Sequence, residues 1–140
     1  MKLTIQTDGG ARGNPGPAGI GVVISDEHGK VLEEHSEYLG VTTNNQAEYK
    51  AAILGLKRAV ALGATSVELV ADSELLVKQA KGEYKVKNPD IGKRFLELKN
   101  FEIKLGGHVR YRHVRREHNT HADKLSNDAM DRGSGKKKSR

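Results

Sequence analysis

Hydrophobic and polar side chains alternate along the first forty residues, which is the pattern of half-buried β-strands. Three such stretches cover residues 2–7, 19–25 and 31–41. A segment rich in glycine and proline follows the first stretch at residues 9–17, and residues 26–29 have the composition of a hairpin turn. The pattern therefore predicts three consecutive antiparallel strands joined by short turns.

After residue 42 the apolar positions take up the period of a long α-helix. Thr43 and Gln46 have the spacing of a capping box, and Gly63 is a suitable end. Between them, four large apolar residues recur at helical spacing: Tyr49, Ile53, Leu56 and Val60.

The rest of the chain predicts two more strands and three more helices. Strands are expected at residues 67–71 and 109–114, and helices are expected to start at Ser73, Asn88 and Asn119. The resulting order, βββαβααβα, is typical of an α/β or α+β domain with a mixed five-stranded sheet.

Composition and charge narrow the possible functions. The 140 residues fit one domain, expected at residues 1–131, followed by a disordered basic tail at residues 132–140. The net charge is +6, and residues 134–140 contribute four positive charges, so the folded part is only mildly basic. The chain has no cysteine, no apolar stretch long enough for a membrane span and no signal-peptide core. We expect a cytoplasmic monomer with no membrane partner.

Four acidic residues stand where a catalytic site is expected. Asp8 and Asp72 follow predicted strands, Glu48 lies near the start of the long helix, and Asp123 lies in the first turn of the last helix. Ligands of open α/β sheets gather at strand ends. Clustered carboxylates repel one another unless cations bind between them, and Mg²⁺ prefers oxygen ligands.

Four segments that contain these acids resemble the motifs of type 1 ribonuclease H. They are residues 7–16 (TDGGARGNPG), 42–48 (TTNNQAE), 71–73 (ADS) and 113–123 (HVRREHNTHAD), in the order that the family shows. The resemblance implies an α/β, ribonuclease H-like fold. Its sheet would have three antiparallel and then two parallel strands, with helices on both faces.

The resemblance also implies an activity and a set of functional residues. The expected reaction is endonucleolytic cleavage of the RNA strand of RNA–DNA hybrids, which leaves 5′-phosphate and 3′-hydroxyl ends. Two Mg²⁺ or Mn²⁺ ions would be held by Asp8, Glu48, Asp72 and Asp123. The residues expected to contact the hybrid are Gly9, Ala11, Asn14, Thr43, Asn44, Asn45 and Asn88.

The chain departs from the family pattern at three places. One is Glu74, which stands where a hybrid-contacting Gln often follows the third acid. Residues 80–87 are too short for the basic, Trp-containing protrusion, so this chain resembles the form that lacks it. Lysines in and before this segment either replace the protrusion as a phosphate contact or form a solvated face. The loop before Asp123 is also short. Many members of the family have a mobile acid or base there, and His118 is preferred to Glu117 as the candidate for this role.

Three alternatives have different consequences. A non-catalytic module would bind hybrids without cutting them, although none of the four acids is missing. The same fold could instead prefer double-stranded RNA or RNA–DNA junctions. A nucleotide-dependent phosphotransferase also begins with a strand followed by Asp-Gly-Gly, but it requires two domains, which 140 residues do not supply.

Overall fold

A computed structural model describes residues 1–135; the last five residues of the expected tail, 136–140, lie outside the described part. A 3₁₀ turn at Arg116–His118 precedes the last helix. The other elements are β1 (Lys2–Ala11), β2 (Gly16–Ser25), β3 (Val31–Thr42), α1 (Asn44–Ala61), β4 (Ser66–Ala71), α2 (Glu74–Ala80), α3 (Pro89–Lys104), β5 (Val109–His113) and α4 (Thr120–Gly133). None of the helices in residues 1–135 is both long and apolar enough to cross a membrane.

The five strands form one mixed sheet in the order β3-β2-β1-β4-β5. β1 pairs antiparallel with β2, and β2 pairs antiparallel with β3. β4 lies parallel to β1 on one side and parallel to β5 on the other. The expected arrangement of three antiparallel and two parallel strands is confirmed.

Glycines allow helices to pack closely on both faces of this sheet. On one face α1 lies on β1, where a Cβ at Gly55 would come within 2.7 Å of Ile5 Cγ2. On the other face α4 lies on β2, where a Cβ at Gly21 would come within 2.1 Å of the Ala122 carbonyl oxygen. Any side chain at these two positions would push a helix away from the sheet.

Side-chain caps begin three helices where the sequence predicted them. The Thr43 hydroxyl accepts a hydrogen bond from the Gln46 amide at the start of α1. Ser73 caps α2 and Asn88 caps α3 in the same way. Gly63, just beyond α1, has a φ of +76°, which suits glycine.

The predicted end of β1 at residue 7 and the predicted start of β2 at residue 19 were wrong, since β2 begins at Gly16. β1 continues through Asp8 to Ala11, because the β1–β2 ladder extends to the pair Ala11↔Ala18. The long pairing overrides the turn preference of the glycines, and only a short connection remains before Gly16. At the other end α4 continues to Gly133, two residues past the expected domain boundary, and Arg132 donates to the Ser36 carbonyl oxygen at 2.8 Å.

Candidate active site

The four predicted acids line one cavity of about 480 Å³. Asp8 and Asp72 reach it from neighbouring strands, because the parallel register pairs Thr7 with Ala71 immediately before them. Glu48 comes from the beginning of α1 and Asp123 from the beginning of α4. Four elements that are distant in sequence therefore bring their carboxylates to one end of the sheet.

Gly9 determines how closely α1 approaches the sheet at this site. A Cβ on Gly9 would lie 2.4 Å from the backbone carbon of Ala47 and 2.6 Å from the amide nitrogen of Glu48. Only glycine allows the helix to bring Glu48 beside Asp8. This is a structural reason for the Asp-Gly pair that is independent of any role of Gly9 in binding.

Asn119 fastens α4 to β1 next to the acids. Its fully buried side chain donates from Nδ2 to the Thr7 carbonyl oxygen at 2.9 Å, one residue before Asp8. Its Oδ1 atom has no hydrogen-bond partner within residues 1–135. Ser126, one helical turn after Asp123, donates its hydroxyl to Asp8. These contacts hold Asp123 and Asp8 in a constant relative position.

Burial and mutual repulsion make it costly to charge this group of acids. The pKa of the Asp8 carboxyl is raised to about 6, chiefly by burial and also by the charges of Asp72 and Asp123, against a hydrogen bond from Ser126 that lowers it. Burial also raises the pKa of Glu48 to about 7, with repulsion from Asp72 and Asp8 as a smaller cause. A bound cation would relieve this repulsion.

Arg116 supplies the positive charge nearest to the acids. Its Nε and Nη2 atoms donate to Asp123 Oδ1 at 3.3 and 3.1 Å, and the side chain lines the cavity. His118, the residue favoured by the sequence, does not line the cavity. The 3₁₀ turn that contains both residues directs Arg116, not His118, at the carboxylates. The sequence signal for Arg116 was a cation in the short loop before Asp123.

A second cavity, of about 280 Å³, adjoins the first at Asn44. It brings together the remaining polar residues expected to contact substrate, which are Asn14, Thr43, Asn45 and Asn88. Asn44 Oδ1 accepts from the Ala11 amide at 2.7 Å, and the Asn44 amide donates to Asn14 Oδ1 at 3.1 Å. The loop after β1 is thereby fixed to the N-terminus of α1. Gly9 and Ala11 line the first cavity.

The four carboxylates suit hard divalent ions, although no three of them lie close enough together to share one ion, and the same holds for all His, Cys, Asp and Glu side chains within residues 1–135. Asp123 is instead engaged by Arg116. Four carboxylates without sulfur or imidazole match the oxygen preference of Mg²⁺ and Mn²⁺. The chemistry of the four carboxylates therefore fits such ions.

Comparisons with known proteins agree with this fold and site. A family model described as reverse transcriptase-like matches residues 6–129. The bifunctional protein Rv2228c of Mycobacterium tuberculosis is 46% identical over 132 residues, which are 94% of this chain and 36% of that protein. Ribonuclease HI of Halobacterium salinarum is 38% identical over 125 residues, which are 89% of this chain and 62% of that protein.

Solved structures give the same result. The crystal structure of LC11-RNase H1 in complex with an RNA/DNA hybrid superimposes with a TM-score of 0.89 at 46% identity, covering 93% of this chain and 97% of that chain. The chain therefore belongs to the ribonuclease H family. It spans only about a third of the length of the mycobacterial relative.

Proposed function

We propose that this protein cuts the RNA strand of RNA–DNA hybrids with the help of divalent metal ions. The observation that carries the proposal is the convergence of Asp8, Glu48, Asp72 and Asp123 in one cavity beside a second, amide-lined cavity. Similarity to proteins named ribonuclease H, and to an RNase H1 solved with an RNA/DNA hybrid, supports it.

The four acids would hold two Mg²⁺ or Mn²⁺ ions. Such a pair of ions activates water and stabilises the leaving oxygen at phosphorus, and the expected products carry 5′-phosphate and 3′-hydroxyl ends. The protein's own part is to position the ligands. Asn119 and Ser126 hold Asp123 against Asp8, and Gly9 admits α1 so that Glu48 reaches the cavity.

The second cavity would bind the hybrid beside the scissile bond. Asn14, Asn44 and Asn45 present amide groups that suit the 2′-hydroxyls and base edges of a minor groove. Thr43 and Asn88 cap α1 and α3, where backbone N–H groups favour a phosphate of the DNA strand. The shared residue Asn44 joins this contact to the carboxylate cavity.

Arg116 would act where the sequence placed His118. Its side chain is 74% exposed, and Asp123 is the one member of the four acids with which it forms an ion pair within residues 1–135. A guanidinium stays protonated in proteins, so Arg116 serves as a charge and a hydrogen-bond donor, not as a general acid or base. Once it releases Asp123, it is positioned to contact a phosphate of the substrate.

A cleavage assay tests the proposal. An end-labelled RNA–DNA hybrid, matched single-stranded RNA and duplex RNA are incubated with Mg²⁺ or with EDTA. We expect cutting of the hybrid in Mg²⁺ alone. Asp8→Asn should abolish cutting while hybrid binding persists, and Glu27→Gln, which removes an exposed hairpin charge far from the site, should cut normally.

Each contrary result would identify one of the alternatives. Tight hybrid binding without cutting would indicate a non-catalytic module. Preferential cutting of duplex RNA would indicate a nuclease of the same fold whose preferred substrate is double-stranded RNA. Hybrid cleavage by Asp8→Asn at the wild-type rate would show that the carboxylate cavity is not the reaction centre.

A further inference from the structure

One half of the sheet face that carries Asp8 is not covered by α4. The helix packs on β1, β2 and β3. Beyond it, the parallel register places Val70 of β4 opposite Arg112 of β5, and Glu68 opposite Arg110. These residues lie on the same face as Asp8, because Gln6 pairs with Val70 and stands two positions before Asp8 in β1. The open half-face therefore begins directly beside the candidate active site.

The charges on this half-face are mainly positive. We call Lys2, Arg110 and Arg112 the basic strip. The acid among them is Glu68, which accepts from Arg112 Nη2 at 3.3 Å, and the Arg112 side chain remains 55% exposed. Within residues 1–135, neither Arg110 nor Lys2 has a side-chain hydrogen bond or ion pair. Two of the three cations are therefore free to bind an anion.

Two depressions lie along this strip, and Lys81, Lys99 and Glu102 also line the larger one. One, of about 570 Å³, is lined by both Arg110 and Arg112, and the other, of about 310 Å³, by Arg110 and Lys2. Glu68 and Arg110 belong to both depressions. The two arginines are two positions apart in one strand, about 6.6 Å, a spacing that successive phosphates of an extended strand can match.

The strip leads toward the carboxylate cavity, with Val114 between Arg112 and Arg116. β5 ends at His113, and the next amide, that of Val114, still donates to the Ala71 carbonyl oxygen at 3.0 Å. This bond keeps the chain beside β4 up to Asp72. Arg116 then enters the cavity from the same connection. A strand whose phosphate lies at the acids has a row of cations along which it can continue.

We propose that the basic strip binds the sugar-phosphate backbone of a single-stranded RNA arm that continues from the hybrid held at the carboxylates. The proposal rests on the proposed function and extends it, because it makes partly single-stranded hybrids the preferred substrates. An acidic peptide would also suit the charges. It would not explain why the cations lead into the cavity that holds the reacting strand.

The test compares a blunt hybrid with hybrids that carry a short RNA arm at the 5′ or the 3′ end of the cleaved strand. For wild-type protein we expect one of the two arms to lower KM several-fold with kcat unchanged. The other arm, which leaves the site in the opposite direction, serves as an internal control. The slope of log KM against log salt should be steeper by about 1.4 for the hybrid with the favoured arm, because the basic strip would neutralise two phosphates of a single strand.

Variants that remove positive charge from the basic strip, or negative charge beside it, distinguish a role in binding the RNA arm from a purely structural role. Arg110→Gln/Arg112→Gln should abolish the effect of the arm and its extra salt dependence, with kcat on the blunt hybrid unchanged. Glu68→Gln, which frees Arg112 from its ion pair, should enlarge the effect. Lys57→Gln/Lys93→Gln removes two exposed positive charges from α1 and α3 and should leave the effect as in the wild type.

The possible failures are distinguishable. If the wild-type protein cuts no hybrid at all, the proposed function is overturned and this extension falls with it. Equal KM values for blunt and armed hybrids, in a protein that cuts both, would overturn the basic strip alone. Binding of a poly-glutamate peptide that is lost in Arg110→Gln/Arg112→Gln, without any effect of the arms, would overturn it in favour of a protein partner.

Discussion

Replacing Glu48 by glutamine should stabilise the metal-free protein at alkaline pH. The side chain keeps its shape, and only the charge that the site disfavours is removed. The pKa of Glu48 is raised from 4.5 to about 7, chiefly by burial and also by repulsion from Asp72 and Asp8. At 1.36 kcal/mol per unit, the ionised group costs the folded state about 3 kcal/mol.

The sign of the pH dependence follows from the raised pKa. The folded protein binds the Glu48 proton more tightly than the unfolded chain does, so stability falls as the pH rises through this range. The penalty is nearly complete at pH 7, decreases to about 1 kcal/mol at pH 5 and disappears as the pH falls well below the ordinary pKa of 4.5. Glu48→Gln should therefore gain about 3 kcal/mol at pH 8 and about 1 kcal/mol at pH 5.

Urea denaturation in EDTA, at pH 8 and at pH 5, measures these differences directly. Glu27→Gln, an exposed hairpin position, is the matched control and should change stability by less than about 0.5 kcal/mol at either pH. Excess Mg²⁺ should reduce the advantage of Glu48→Gln, because the ions would bind the wild-type protein more tightly than a variant that lacks one of the four carboxylates and would stabilise it more. A variant no more stable than the wild type at pH 8 would refute the account of a strained group of acids.

Three further sites give independent tests. Arg116→Gln should fold normally but lower kcat/KM tenfold or more, in steady-state cleavage of the hybrid; wild-type kinetics would remove Arg116 from the mechanism. Asn119→Ala should destabilise the protein by about 2–3 kcal/mol in urea, because it leaves the Thr7 carbonyl oxygen buried without its donor; an unchanged midpoint would contradict the anchoring role. Gly21→Ala should cost at least about 1–3 kcal/mol by displacing α4, whereas Gly92→Ala, in open space on α3, should be neutral or stabilising; equal effects in thermal melts would contradict the packing argument.

Local patterns in the sequence were sufficient to predict most of the fold. Alternation marked the strands, and Thr43, Ser73 and Asn88 marked helix starts, because each signal depends only on near neighbours. The end of β1 could not be predicted in this way. Residues 9–11 have the local preference of a turn, but pairing with β2 keeps them extended, and that pairing is long-range.

The four acids and the amide residues predicted from the sequence line the two cavities, whereas His118, the predicted mobile acid or base, lines neither of them. Asp72 directly follows β4, and the parallel register of β4 with β1 places it beside Asp8, which lies within β1 and not at its end as expected. His118 was favoured as the mobile residue, but side-chain direction in a 3₁₀ turn cannot be deduced from spacing, and Arg116 is the one that lines the cavity. Asn119 looked like an ordinary helix cap, yet its side chain instead reaches across to β1.

The central claim is that the carboxylate cavity is a centre for divalent metal ions, and calorimetric titration with Mn²⁺ tests it most directly. The wild-type protein should bind Mn²⁺ with protons released near pH 7, as Glu48 and Asp8 lose theirs to the ions. Asp8→Asn should bind at least tenfold more weakly, and Glu27→Gln should bind as the wild type does. Equal affinity of Asp8→Asn and the wild type would contradict the claim.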